Sequence, residues 1–310
     1  MDLSDTRIAS RATASGDGDP PPEGGSSTAP PGWSATLELA YGARGGHTVP
    51  TLRRHVGPLR VQKGFTPEGP GVWHQVVVHP PGGIAGGDAL RIDVAAAAGA
   101  HALLTAPGAA KWYRSGGATA SQLLAIEVAA GAALEWLAPE TIVFDGARAR
   151  LATRCRVARG GTLILAELFS LGRPASGERF ERGRLDTAID IHDMHGAPRF
   201  LERTRLAGSD PLLDSPVGLA GRPLFGTLIA VSDRLDDDAT GQRALSACRD
   251  ALASTTTAEE VGVTRLPGVL VVRWRGCRAD AGQAVLRSAW AELRPLLLDR
   301  PAVAPRIWST

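Results

Sequence analysis

Short alternations of apolar and polar residues dominate the chain from about residue 33 to residue 230. Residues 35–41 and 91–94 alternate as strands with one buried face do. Residues 76–78 form a short apolar segment that ends at the turn-forming residues 80–83. Residues 162–166 are continuously apolar, which is typical of a strand covered on both faces. The pattern therefore predicts a mainly β fold.

Three segments repeat the order strand, glycine turn, strand. Residues 93–103 resemble residues 127–134, and residues 156–163 are a looser third copy. Their turn glycines are separated by 32 and 30 residues: Gly99, Gly131 and Gly161. Repeats of this length often stack strand upon strand, so we predict a β-helix or solenoid-like body. A β-sandwich with similar hairpins gives the same pattern and stays open.

The C-terminal part carries helical periodicity. Residues 241–252 place Leu245, Cys248 and Leu252 on one face, and a second helix is predicted over 284–293, ending before Pro295. A strand lies between them at 268–274. We therefore predict a small two-helix portion packed on the β body. Residues 33–310 are predicted to be a single domain, preceded by a disordered leader over 1–32, which is rich in Gly, Pro and Ser.

Composition narrows the class of protein. A net charge of +2 gives no electrostatic case for nucleic-acid binding. The three cysteines are far apart and odd in number, which favours reduced thiols in a cytoplasmic protein. No apolar run is long enough for a membrane helix, and no secretion signal is present at the N-terminus.

A glycine-rich segment, HPPGGIAGGD at residues 79–88, permits unusually close backbone approach. One interpretation is a cradle for an anion or a metal with Asp88 as an oxygen ligand, and the other is a tight double turn. It is not a phosphate-binding loop, because GxxxxGK[ST] is absent from the chain. That absence argues against an intrinsic nucleotide hydrolase.

Two cations and two aromatics adjoin at Lys111, Trp112, Tyr113 and Arg114. Lys111 or Tyr113 would be the acid–base group of an enzyme. A surface strand of this composition is instead typical of a protein interface, which we favour.

Three carboxylates, Glu135, Glu140 and Asp145, lie near aromatic residues. Paired carboxylates carry out glycoside hydrolysis, line polar passages for cations, or simply end strands in solvent. Ser176 lacks the GxSxG context of a nucleophile elbow, and the pair His192 and His195 falls in a predicted turn.

Five motifs in order carry a resemblance: HPPGGIAGGD, LLTAPGAAKWYRS, LEWLAPETIVFDGA, LGRPASGERFERG and the terminal APRIWST. Together they resemble the UreD (UreH) family of urease accessory proteins, from about Trp33 to Thr310. The sequence departs from the family where Ala138-Pro139-Glu140 replaces the more usual Pro-Gln-Glu.

The resemblance implies a stacked-strand fold and a non-enzymatic cytoplasmic chaperone. It implies binding to UreF, to the GTPase UreG through UreF, and to apo-urease, with Ni²⁺ passing transiently through the protein and no permanently bound cofactor. Because Ni²⁺ accepts carboxylate ligands, we expect a weak path that matches the motifs at these positions: Asp88, Glu140, Asp145, Glu167 and Glu178. For partner contacts we expect these residues: Lys111, Trp112, Tyr113, Arg114, Arg306 and Trp308.

Two other functions stay open at this point. One is a carbohydrate-active β-helix hydrolase that uses Glu135, Glu140 or Asp145. The other is a structural clamp that holds urease open without conducting nickel.

Overall fold

The structure, a computed structural model, describes residues 32–253 and 260–309. The predicted leader lies outside this range, apart from Gly32. The strands are, in chain order, β1 (Ser34–Arg44), β2 (His47–Val56), β3 (Arg60–Val61), β4 (Trp73–Val78), β5 (Ala89–Ala96), β6 (His101–Thr105), β7 (Ala110–Trp112), β8 (Ala120–Val128), β9 (Ala133–Leu137), β10 (Thr141–Val143), β11 (Arg148–Val157), β12 (Thr162–Leu171), β13 (Arg184–His192), β14 (Pro198–Ala207), β15 (Leu224–Ser232), β16 (Glu260–Leu266) and β17 (Val269–Gly276). The α-helices of the described residues are α1 (Asp238–Leu252) and α2 (Ala279–Leu298).

Two sheets form the body. The first has seven strands in the order β14-β13-β11-β8-β5-β1-β2. The second has ten strands, of which eight follow the order β16-β17-β15-β12-β9-β6-β4-β3, while β10 joins β12 and β7 joins β10. The chain alternates between the sheets from β5 to β12, and neighbouring coils pair in parallel. The predicted stacked-strand body is confirmed, and the closing strands at the sheet ends are antiparallel.

Burial follows from the position of each sheet. The first sheet has one covered face, so β13 buries Leu185, Ile189 and Ile191 while its intervening residues face outward. The second sheet lies between the first sheet and the helices, and β12 is accordingly covered on both faces and largely apolar. One apolar core fills the space between the sheets, and a second lies between the second sheet and the helices.

Glycine turns stack where the chain crosses from the first sheet to the second. The backbone N–H of Gly99 donates to the Gly131 carbonyl at 3.2 Å, and the N–H of Gly131 donates to the Gly160 carbonyl at 3.1 Å. All three have positive φ angles, 76°, 69° and 77° in chain order, a region that favours glycine. In the third copy the left-handed residue is Gly160 and not the predicted Gly161. The repeat in the sequence is therefore a physical stack of turns.

Both predicted helices are present, but the predicted end of the second helix is wrong. Helix α1 begins after Asp237, whose carboxylate accepts from the backbone N–H of Thr240. Helix α2 continues through Pro295 to Leu298. Proline removes one backbone hydrogen bond, yet burial of Leu297 and of Arg294 on either side holds the last turn in place.

Candidate functional site

A cavity of about 280 Å³, partly open to solvent, lies largely between the two sheets. Two of the sequence motifs meet at its wall. The N–H of Ile84 donates to the Lys111 carbonyl at 2.7 Å, and the N–H of Tyr113 donates to the Ile84 carbonyl at 2.9 Å. Gly83 lets the Tyr113 ring pack directly on its backbone, since a Cβ atom here would lie 2.0 Å from the ring and would displace it. The glycine-rich segment thus packs the aromatic strand against the cavity.

Glu167 is the acidic residue of this cavity's lining. It lies on β12 and accepts a hydrogen bond at 2.7 Å from the Thr153 hydroxyl of β11, which joins the two sheets. The pKa of Glu167 is raised to about 7: burial is the main cause, the Thr153 hydrogen bond opposes the rise, and the charge of Glu202 adds to it. A carboxyl group of this kind exchanges its proton near neutral pH and, once ionised, is an oxygen ligand for a divalent cation.

A second polar cluster lies on the other side of the second sheet, against α2. Glu135 of β9 is fully buried and accepts from Trp290 at 2.5 Å and from Arg294 at 3.1 and 3.2 Å. The imidazole of His101 lies 2.6 Å from the same carboxylate. Burial alone would raise the pKa of Glu135, but His101, Arg294 and Trp290 outweigh it and lower the pKa.

Arg294 extends this cluster to a second carboxylate. Its guanidinium donates to Glu68 at 2.8 Å and to the Pro301 carbonyl at 2.5 Å. Glu68 also lies 2.6 Å from the His74 imidazole. Arg294 therefore joins the turn between β3 and β4, the second helix and the C-terminal segment in one buried network.

Sequence reasoning missed this network except for Glu135. One feature of the sequence pointed to the network: Glu135 is a single carboxylate inside the apolar run of residues 133–137. A strand covered on both faces tolerates a buried charge only when that charge is paired. Its partners are 34 and 159 residues away, so the fold is needed to find them.

Glu140 lies at the junction with α2, where it accepts from Gln283 at 3.2 Å. The C-terminal residue Trp308 packs nearby within the same chain. Its ring lies 5.5 Å from the Trp290 ring and 4.2 Å from the Arg287 guanidinium carbon, and its N–H donates to Thr105 at 3.0 Å. Thr105 also lines the cavity, so the C-terminal segment covers the protein beside it.

Asp145 and Glu178 come together in a turn. The Asp145 N–H donates to Glu178 at 2.9 Å, and the Asp145 carboxylate accepts from Arg182 at 2.6 Å and from Arg114 at 3.3 Å. The backbone N–H groups of Glu181 and Arg182 also donate to it. Burial alone would raise the pKa of Asp145, but these hydrogen bonds outweigh it and lower the pKa. With so many donors, Asp145 is less available to a cation than Glu167.

Asp88 caps its own glycine-rich turn. Its two carboxylate oxygens accept from the N–H groups of Trp33 and Ala85, each at 2.8 Å. Asp88 therefore holds Trp33, the residue before β1, beside the motif. The double-turn interpretation describes this geometry better than a ligand cradle.

The four residues of the aromatic motif are not equally exposed. Tyr113 is 41% exposed, and Lys111 and Arg114 also face solvent. Trp112 is only 1% exposed and belongs to the core between the sheets, which corrects the expectation that its ring contacts a partner. At the C-terminus, Arg306 is exposed and Trp308 is half-buried.

The carboxylates of the hydrolase interpretation do not share a cleft. Glu135 faces the helices, Glu140 contacts α2 and Asp145 lies in the arginine-braced turn, while the lining of the 280 Å³ cavity includes none of the three. Glycoside hydrolysis needs two carboxylates on either side of one bond. His195 lies in the turn after β13, as predicted, whereas His192 is the last residue of the strand itself and pairs with Pro198.

Metal-ligating side chains are dispersed. Within residues 32–253 and 260–309, no group of three or more His, Cys, Asp or Glu side chains is placed to hold a metal ion. The cysteines are all free: Cys155 and Cys248 are buried and Cys277 is exposed. No helix in the described part of the chain is both long and apolar enough to cross a membrane.

Comparison with known proteins identifies the class. Residues 34–309 match the family described as UreD urease accessory protein. The chain is 49% identical over 282 residues to the urease accessory protein UreD of Azoarcus sp. (strain BH72), covering 91% of this chain and 96% of the relative. It is 48% identical over 281 residues to the protein of the same name from Pseudomonas aeruginosa (strain PAO1), covering 90% and 96%. The stacked-strand fold and these matches define a urease accessory protein. The chain belongs to the UreD family.

Proposed function

We propose that this chain is a non-catalytic scaffold of urease maturation that acts in the cytoplasm. It binds UreF, recruits UreG through UreF, docks on apo-urease and offers Ni²⁺ a polar route to the urease active site. Family membership supports the maturation role. The observation that supports the nickel route is Glu167, an ionisable carboxyl that lines the 280 Å³ cavity between the sheets.

The proposed route uses single carboxylates that bind Ni²⁺ weakly. A cluster of several His and Cys ligands would retain an ion that has to be released, whereas isolated carboxylates exchange it. Glu167 inside the body and Glu140 at the junction with α2 are the two acidic side chains that we assign to the route. Three other acidic residues use their carboxylates to hold turns: Asp88, Asp145 and Glu178. We therefore leave them out of the proposed route.

The scaffold role is tested by reconstitution. Apo-urease, UreF, UreG and this chain are purified, mixed with Ni²⁺ and GTP, and separated by size-exclusion chromatography, and the nickel content of the urease fraction is measured. We expect one complex that contains all four proteins, and nickel-loaded urease only when this chain is present. Equal nickel loading without the chain, or no association with any of the three proteins, would refute the proposal.

A further inference from the structure

An arginine-lined groove of about 450 Å³ lies where the chain enters successive strands of the first sheet. Four of its lining residues are Arg114, Arg148, Arg182 and Arg184. All four side chains are exposed. Arg182 lies in the LGRPASGERFERG motif and Arg184 follows it directly. The proposed nickel route assigns no role to either arginine.

Two of these arginines are direct neighbours. Arg148 of β11 and Arg184 of β13 occupy the same register position on adjacent parallel strands. Like charges side by side on a sheet disfavour the pairing. Arg148 donates to the Gly117 carbonyl at 3.2 Å and pairs with no carboxylate among the described residues.

The carboxylates around the groove are too few for its cations. Arg114 and Arg182 share Asp145, and Arg184 shares Asp186 with Arg205. Five arginines that include Arg148 are thus matched by two acidic side chains. Glu178 is occupied by Arg173. The groove keeps an excess of positive charge that an anionic ligand would neutralise.

We propose that this arginine groove docks a cluster of Asp and Glu side chains on a partner protein of urease maturation. A single small anion would remain hydrated in so open a site, whereas several carboxylates fixed on one surface engage the guanidinium groups together. Tyr113, exposed next to Arg114, adds the aromatic character that protein interfaces favour.

Nucleic acid is a poorer match to the groove. A phosphate backbone needs a continuous basic track, and the outward face of β13 places Asp186 and Asp190 directly beyond the arginines. The net charge of the chain is only +2.

The test uses Arg148→Glu in the full chain. Glutamate at this position gains an attractive neighbour in Arg184, so the variant is expected to fold, which circular dichroism and thermal unfolding check. Arg148→Lys keeps the charge, and Arg243→Glu makes the same charge change on the exposed face of α1. Affinity for purified apo-urease and for purified UreF is measured for each variant by biolayer interferometry, at low and at high salt.

Arg148→Glu is expected to weaken binding to one of the two partners by at least about tenfold at low salt, with a smaller difference at high salt. Arg148→Lys and Arg243→Glu are expected to bind like the unmodified chain. Equal binding of the Arg148→Glu and Arg243→Glu variants to both partners would overturn the proposal. So would Arg148-dependent binding of the unmodified chain to a polyuridylate oligonucleotide that displaces the protein partner.

The inference rests on the proposed function for the choice of partners, and the two fail differently. If the unmodified chain binds neither apo-urease nor UreF, the scaffold role fails and the groove's assignment to a maturation partner fails with it. If the unmodified chain binds and Arg148→Glu binds equally well, only the groove is wrongly assigned.

Discussion

The Glu135 carboxylate and the Arg294 guanidinium form an ion pair in which neither side chain has accessible surface. The pair joins β9 of the second sheet to α2. Two histidines, a tryptophan and Glu68 complete its surroundings. Such a pair is costly to break from one side, because the remaining charge stays buried without its partner.

Replacing Arg294 with Met should therefore lower the free energy of unfolding by about 3–5 kcal/mol. The double variant Glu135→Leu, Arg294→Met should lose less than the sum of the two single losses, since it leaves no unpaired charge at Glu135. Urea unfolding followed by tryptophan fluorescence measures all three. Arg243→Met, on the exposed face of α1, serves as the control and should leave the midpoint unchanged. Additive losses would show that the pair is not coupled.

Glu68 should make stability depend on acidity. Burial opposes ionisation, but hydrogen bonds from His74 and Arg294 dominate and lower its pKa from 4.5 to about 2. A lowered pKa contributes stability that is complete above the unfolded value and is lost as the pH falls from about 4.5 towards 2. Glu68→Gln should be less stable than the unmodified chain at neutral pH, and the gap should narrow over that acidic range. A gap that stays constant with pH would contradict the assigned pKa.

Glu167 should make stability depend on pH in the opposite direction to Glu68. Its pKa is raised from 4.5 to about 7, so its contribution to stability is complete below about 4.5 and is lost as the pH rises through 7. Relative to Glu167→Gln, the unmodified chain should therefore lose thermal stability between about pH 5 and pH 8. Glu127→Gln, an exposed glutamate on β8, is the matched control and should show no such trend. If the melting temperatures of the unmodified chain and of Glu167→Gln change with pH in the same way, the raised pKa is refuted.

Pro295 is exposed within α2 and interrupts its hydrogen bonding. Pro295→Ala should restore the backbone bond to residue 291 without loss of packing and stabilise the protein by about 1–3 kcal/mol. Thermal unfolding measures the change. An unchanged or lower melting temperature would show that the last turn relies on the geometry that proline imposes.

The helix end illustrates what sequence could and could not predict. A proline predicts a boundary from local sterics, but the buried side chains on either side of Pro295 decide where this helix ends. The stacked strands were predictable because Gly99 and Gly131 mark a repeat that the backbone requires at each turn. The two-sheet order and the closing antiparallel strands depend on pairing between distant segments.

The candidate site was likewise only partly predictable from the sequence. Glu167 was selected from a motif match, and the structure adds that it faces a cavity. The partners of Arg294 are up to 226 residues away in the chain, so no local pattern identifies them. The charged neighbours of Trp112 predict a surface residue. Its side chain points inward instead, because the strand pairs with Ile84, a contact that the local sequence does not reveal.

The nickel route through the cavity is tested most directly by loading urease with nickel through Glu167→Gln and Glu127→Gln in the reconstituted mixture. Size-exclusion chromatography first confirms that both variants assemble with UreF, UreG and apo-urease. The nickel bound per urease active site is then measured by mass spectrometry over time. We expect slower loading with Glu167→Gln and unchanged loading with Glu127→Gln. Equal loading rates with intact complexes would contradict a nickel route through Glu167 and favour a clamp that holds urease open while nickel arrives through solvent.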